Sequence, residues 1–258
     1  MAPHDLRSTE RFSSRVDNYV RFRPGYPQEV LSVLEQEIGF GTDWIVADVG
    51  SGTGISAGLF LKHGNVVIGV EPNLEMRSAA EQLLEGFSRF QSVTGTADNT
   101  TLGNQSVDLI VVAQAFHWFD PLNARTEFLR IVKPNGWVSL LWNLPRHYAS
   151  PFLQDYQQLL IEYGIDYLKV RALTSQESTI EALYGGTEFR KFVLQNEQQF
   201  DLESLRGRLL SSSYAPTEDH ANYEPMLEKL ERIFEQHESD GVVRFEYDTE
   251  IFLGQLSA

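Results

Sequence analysis

Five short stretches of this chain are apolar almost throughout, and the segments between them carry helix and turn features. They are W-I-V-A-D-V at 44–49, V-V-I-G-V at 66–70, Phe90–Thr94, V-D-L-I-V-V at 107–112 and Trp137–Trp142. Strands that do not alternate polar with apolar residues are buried on both faces, which calls for a mostly parallel sheet covered by helices on either side. The connecting segments agree. Gly50–Gly54 reads as a glycine-rich turn, Ile55–His63 as a helix stopped by Gly64, and positions 76, 79, 80, 83 and 84 form one apolar helical face. Asp120-Pro121 has the cap and first-turn residues of another helix, and Lys133–Gly136 reads as a turn.

The C-terminal part follows a different rule. Val243, Phe245, Tyr247, Thr249 and Ile251 alternate with Arg244, Glu246, Asp248 and Glu250, the period of an antiparallel strand with one polar face. Phe189–Phe200 is its expected partner, with helices near 201–211 and 225–238 between them. The expected fold is therefore α/β: a Rossmann-like doubly wound sheet of about seven strands, mostly parallel, with a C-terminal antiparallel pair and helices on both faces. No linker divides the chain, so residues 1–258 are expected to form one domain, with 1–40 and 148–187 covering a site.

Composition narrows the chemistry. There is no cysteine among the 258 residues, which removes disulfides, thiolate nucleophiles and thiolate metal sites. The formal charge of −15 argues against nucleic-acid and anionic membrane partners. The charge is uneven: residues 1–27 carry a net +2, while 216–250 carry eleven acids against three bases. Arg7, Arg11 and Arg15 fall at helical spacing and read as a salt-bridged helix face. The histidines at 4, 63, 147, 220 and 237 show no metal-ligand spacing, so no metal is expected. No apolar run approaches bilayer length and no secretory leader is visible, which points to a cytoplasmic protein.

In a doubly wound sheet, ligands sit beyond the carboxyl ends of the strands. Those ends carry Asp48, then Gly50, Ser51, Gly52 and Gly54; Glu71; Ala97 and Asp98; and Gln114 through Asp120. Glycines there let a ligand approach the backbone, and Glu71 follows Gly50 by 21 residues, the spacing at which an acid accepts ribose hydroxyls. Gly52–Ala57 also fits the dinucleotide pattern G-x-G-x-x-A, so a nicotinamide- or flavin-dependent oxidoreductase is the first alternative. Asp48 immediately before the loop would repel a pyrophosphate but suits an ammonium or sulfonium. A ligand with a cationic amino-acid end, a ribose and an adenine suits Asp48, Glu71 and Asp98 together, and S-adenosylmethionine is such a ligand.

The motifs V-A-D-V-G-S-G-T-G, V-I-G-V-E-P-N-L-E-M and G-T-A-D resemble those of class I S-adenosylmethionine-dependent methyltransferases. A-Q-A-F-H-W-F-D and Y-V-R-F-R-P-G-Y-P are similar to segments of the type-11 small-molecule group, which includes trans-aconitate methyltransferases. The resemblance covers roughly residues 15–145. It implies that Asp48 meets the methionine ammonium and that Gly50, Ser51, Gly52 and Gly54 wall the methionyl group. Glu71 would hold the ribose, with Pro72 and Met76 near the adenine. Ala97 and Asp98 would read the adenine edge, and Gln114 would face the methionine end. Tyr19 and Arg23 would close the site, with Arg23 toward the methionine carboxylate. The implied reaction is direct methyl displacement onto a small molecule, leaving S-adenosylhomocysteine. A carboxylic acid is favoured by the arginine-rich N-terminus. His117 is the nearest candidate base should the acceptor carry a proton, and His117, Trp118, Tyr148 and Tyr214 are expected around the acceptor. A protein that binds S-adenosylmethionine without catalysis is the second alternative. Acceptor identity and oligomeric state stay open.

Overall fold

The computed structural model describes residues 16–174 and 176–257. Seven strands form one sheet in the order β3-β2-β1-β4-β5-β7-β6. The strands are β1 (Ile45–Val49), β2 (Val66–Val70), β3 (Phe90–Val93), β4 (Val107–Ala113), β5 (Val132–Pro145), β6 (Phe189–Phe200) and β7 (Val243–Gly254). The first five pair in parallel, while β7 runs antiparallel to both β5 and β6. This is the Rossmann-like arrangement expected, including the C-terminal antiparallel pair.

Among the described residues two helices precede the sheet, α1 (Val16–Phe22) and α2 (Glu29–Ile38). The β1–β2, β2–β3 and β4–β5 crossovers contribute α3 (Ile55–His63), α4 (Leu74–Leu83) and, after a 3-10 turn at Phe116–Trp118, α5 (Pro121–Ile131). Between β5 and β6 come α6 (Pro151–Tyr163), α7 (Tyr167–Leu173) and α8 (Glu177–Tyr184); between β6 and β7 come α9 (Leu202–Leu210) and α10 (Tyr223–His237). Among the described residues no helix is long and apolar enough to cross a membrane. Arg7, Arg11 and Arg15 lie outside the described residues.

The local rules work as the residues suggest. Gly54 and Gly64 bracket α3 with φ of 82° and 111°, conformations that side-chain-bearing residues resist. Asp120 caps α5 by accepting from the backbone of Leu122 and Asn123, with Pro121 in the first turn. Successive residues of β4 feed opposite cores. Ile110 and Val112 join Trp142, Phe128 and α8, whereas Leu109 and Val111 join Phe60, Val30 and Ile251. A third core, around Phe200, Phe245, Tyr247, Tyr156 and Leu209, fills the space between α6, α9, α10 and the outer ends of β6 and β7.

Some boundaries differ from expectation. The Lys133–Gly136 turn lies inside β5 as a bulge, because pairing passes from Val107–Val132 to Leu109–Trp137. Asn135 takes φ of 67° there, and Lys133 Nζ reaches the Asp108 carboxylate at 2.8 Å. β1 starts at Ile45, β3 ends at Val93, and α10 begins at Tyr223. Among the described residues, the two segments expected to cover a site divide. Leu31 and Leu34 of α2, and Ile180 and Tyr184 of α8, are buried in the sheet's own cores. Tyr19 of α1, Tyr156 of α6 and Tyr167 of α7 line a cavity instead.

Candidate functional site

The chain leaves β1 toward β2 and β3, then returns to β4 on the opposite side of β1. That reversal opens a crevice beyond the carboxyl ends of β1 and β4. The two loops there touch: a Cβ added at Gly50, where φ is 74°, would lie 2.7 Å from the Ala115 side chain and 3.1 Å from the Phe119 ring. Three adjoining cavities occupy the crevice, of about 320, 110 and 40 Å³. Tyr19 of α1 and Gln114 after β4 border all three. Gln114 holds φ of 58°, fixed by its backbone bond to Leu141 and by its side-chain amide donating to the Asn143 carbonyl.

The 110 Å³ cleft is bordered by Gly50, Gly52, Glu71, Pro72, Met76, Trp118 and Phe119. Glu71 is locked in place: one carboxylate oxygen accepts from Gly52 N at 3.0 Å and the other from Asn73 N at 2.9 Å. Burial raises its pKa, opposed by those two bonds. Asn73 in turn caps α4 by accepting from Met76 N. A flat apolar wall and one fixed carboxylate are what a nucleoside needs.

The 40 Å³ cavity is bordered by Arg23, Tyr26, Ser51, Gly52, Thr53 and Ser56. Behind this loop lies Asp48, wholly buried. Ser56 donates to one of its oxygens at 2.6 Å, while the other has no hydrogen-bond partner among the described residues. Desolvation pushes its pKa up to about 7, with the nearby Glu71 adding to the effect. A carboxylate held this way is stabilised by an incoming cation.

The 320 Å³ cavity is walled by α1, α6, α7, the residues after β4 and β5, and the segment after α9. Its charged lining is Arg23, Arg171 and Arg208, the imidazoles of His117 and His147 stand beside them, and among the described residues it contains no aspartate or glutamate. Tyr156, Leu160, Tyr167, Val170, Tyr214 and Phe245 give it an apolar body. Burial, with Arg23 adding to the effect, lowers the pKa of His117 to about 4.

Most of the expected residues meet here. Tyr19, Arg23, Gly50, Ser51, Gly52, Glu71, Pro72, Met76, Gln114, His117, Trp118 and Tyr214 border one or more of the cavities. Five do not. Asp48 backs the loop, and Gly54 packs against Leu84 at the start of α3. Ala97 is buried in a core, and Asp98 is exposed on a two-residue turn closed by Thr96 and Asn99. Tyr148 is 83% exposed and does not border the acceptor-side cavity; its neighbour His147 turns inward instead.

Residues 47–140 match the family model described as "Methyltransferase domain". An uncharacterized methyltransferase of Schizosaccharomyces pombe is 28% identical over 204 residues, 78% of this chain and 77% of that protein. An uncharacterized methyltransferase of Mycobacterium tuberculosis is 34% identical over 139 residues, and the match spans 51% of each. A solved chain from Anaeromyxobacter dehalogenans, assigned as a type II methyltransferase, superposes with a TM-score of 0.65 at 19% identity, covering 92% of this chain and all of that one. These matches support an S-adenosylmethionine-dependent methyltransferase, with the domain match confined to residues 47–140.

The methyltransferase's own residues fit that cofactor better than a dinucleotide. The Gly52 N–H, which a pyrophosphate would require, is already given to Glu71. The unpartnered Asp48 oxygen lies behind the loop and suits positive charge. Several residues of the enzyme's larger cavity escape a reading of the sequence. Arg208, Arg171, Asn143, His147 and Tyr156 come from five different elements or loops. Arg208 alone leaves a trace, since it shares a helical face with the buried Leu205 and Leu209.

Proposed function

We propose that this methyltransferase transfers the methyl group to a small organic acid, at a carboxylate oxygen. The observation that carries this reading is the lining of the 320 Å³ cavity: among the described residues three arginines and no acid, in a chain whose net charge is −15. Arg208 is buried and Arg23 half-buried, while Arg171 is exposed at the rim; buried charges are normally paired, so this group of cations favours an anionic occupant.

Cofactor roles follow from the two smaller cavities. Glu71 holds the ribose hydroxyls, with Pro72, Met76 and Phe119 against the adenine. Asp48 acts through the loop on the methionine ammonium, and Arg23 faces the methionine carboxylate. Asp98 sits on an exposed turn, and its reading of the adenine amino group is the weakest-supported of these roles. When bound, S-adenosylmethionine supplies an electrophilic methyl group beside the larger cavity. Gln114, Trp118 and Tyr19 border both compartments and restrict how an acceptor faces it. A carboxylate arrives ionised and has no proton to lose, so the chain need not supply a base. The depressed pKa of His117 agrees with this: a neutral imidazole that is a weak base orients a substrate better than it deprotonates one.

The test uses methyl-tritiated S-adenosylmethionine with malonate, succinate, glutarate, benzoate, phenylacetate and 3-phenylpropionate, each beside its primary amide. Transfer to an acid but not its amide, with label released as methanol by mild alkali, supports a methyl ester product. Transfer to the amides, or alkali-stable label, refutes it.

A further inference from the structure

Among the three arginines of the larger cavity, Arg208 on α9 stands in an unusual electrostatic position. It is 4% exposed, and among the described residues no carboxylate lies within salt-bridge distance of it. Its neighbours are neutral or positive. Nε donates to the Tyr247 hydroxyl and Nη1 to the Ser212 hydroxyl, each at 3.2 Å. The guanidinium lies 5.4 Å from the centre of the Phe245 ring and 6.0 Å from that of Tyr247. Tyr156, Tyr214 and Tyr247 surround it; burial raises the pKa of Tyr156 and Tyr247, so these hydroxyls bring no negative charge. Arg23 is close enough for the two cations to repel.

A buried guanidinium without a counter-ion is costly unless something else supplies the charge. Stacking and two hydroxyl acceptors fix its orientation but do not neutralise it. Among the described residues two of its five N–H groups are used, and the side chain borders both the 320 and the 40 Å³ cavities. The remaining donors form the planar fork that binds a carboxylate at two points. Arg23 is committed differently: it arrives on α1, stacks on Tyr19, and gives Nη2 to the Ser211 carbonyl at 2.9 Å.

We infer that Arg208 is the specificity-determining residue for the acceptor, receiving its carboxylate at the junction of the acceptor and cofactor compartments. This rests on the organic-acid reading above. Tyr247 has a supporting part: it accepts from Arg208 and donates to Gln198 at 2.9 Å, which holds the fork in one plane.

The experiment compares Arg208→Gln, Arg208→Lys and Arg171→Gln with the full wild-type chain, using the best-methylated acid of the panel named above. Steady-state kinetics give the acceptor KM and kcat, calorimetry gives the S-adenosylhomocysteine Kd, and thermal unfolding reports folding. Arg208→Gln is expected to raise acceptor KM at least 30-fold while leaving the S-adenosylhomocysteine Kd within threefold. Arg208→Lys, which keeps the charge but loses the fork, should fall between, with a five- to twentyfold rise. Arg171→Gln should raise KM less than either. If the glutamine variant does not fold, the lysine variant alone decides by the same split. An unchanged acceptor KM, or an equal loss of cofactor-product affinity, overturns the assignment while wild-type activity on acids keeps the organic-acid reading standing. A wild type that methylates none of the acids overturns both.

Discussion

Glu71→Gln separates a ribose ligand from a loop brace, because the structure uses only half of the carboxylate. A carboxylate has roughly four acceptor positions, and two are taken by the backbone N–H groups of Gly52 and Asn73. The other two face the 110 Å³ cleft, and a ribose presents two hydroxyls. Glutamine keeps the shape but has one oxygen, so its NH2 must oppose either the Gly52 or the Asn73 donor. Hydrogen bonds to a charged group contribute about 1.5–3 kcal/mol each. Losing the charge at both hydroxyls, and part of the geometry, should weaken S-adenosylhomocysteine by about 3 kcal/mol, on the order of a hundredfold in Kd. The folded chain loses less. One unsatisfied N–H costs about 1–3 kcal/mol, partly offset because burial already disfavours the charged form of Glu71. A fall in Tm of about 4 °C is expected. Isothermal titration with S-adenosylhomocysteine and a thermal scan read the two effects apart. A Kd within fivefold of wild type, whatever the Tm, would refute the ribose assignment and leave Glu71 as a brace for the glycine loop.

Three further outcomes follow from the same geometry. Asp48 has its folded pKa raised to about 7 from 3.8, so between those values the native state holds a proton the unfolded chain has lost. Unliganded stability should therefore fall as pH rises from about 4 to about 7, by at most roughly 4 kcal/mol, and level off above; Asp48→Asn should flatten that slope in chemical denaturation. His117, lowered to about 4, is neutral throughout pH 6–9, so kcat should show no inflection from it there. His117→Asn should cost less than tenfold in kcat/KM, and a loss beyond a thousandfold with an inflection near pH 6.5 would show that it is a base after all. Gly207 sits inside α9 where its missing Cβ admits the Phe22 ring of α1. Gly207→Ala should push α1 away and weaken S-adenosylhomocysteine several-fold by calorimetry, while Tm holds because alanine favours the helix by about 1 kcal/mol. Unchanged affinity would mean that α1 does not close the cofactor cavity.

What the sequence shows well is what lies close together along the chain. The apolar runs at 45–49 and 66–70, the glycines flanking α3 and the Asp120-Pro121 helix start all encode structure within a few residues, and each was readable. The same holds for the glycine loop and Glu71, which one strand–helix–strand unit brings together. The turn residues at 133–136 also carry a true local preference, but pairing with β4 on both sides absorbs them into a bulge. The acceptor side was less legible for a physical reason. Its wall is assembled from α1, α6, α7, α9 and the ends of β4, β5 and β7, so no window of sequence contains it. Adjacent residues there also diverge in direction, which is why Tyr148 faces solvent and His147 the cavity. Asp98 differs again: a carboxylate at a strand end looks like a ligand, and the Thr96–Asn99 pairing holds it on the exposed tip of a turn.

The distribution of charge makes one more prediction, with a sign opposite to the usual one. An anion approaching a chain of net charge −15 meets repulsion at long range, and the guanidinium assigned to receive it, Arg208, is buried. The acidic residues of 216–250 lie on α10, β7 and the turns beside them, and contribute much of that field. Salt screens exposed charges over about 8 Å at physiological ionic strength, but it reaches a 4%-exposed guanidinium far less. Raising salt from about 10 mM to about 150 mM should thus weaken the outer repulsion more than the inner attraction. Acceptor kcat/KM should rise over that interval, by about two- to fivefold, where an electrostatically steered enzyme would slow down. The assay is initial-rate methyl transfer to the best acid at saturating S-adenosylmethionine, with potassium chloride varied and pH fixed. A monotonic fall in kcat/KM would mean that the acceptor is drawn in by an exposed basic surface and not by the buried fork, and a flat response would mean that it carries no charge when it binds.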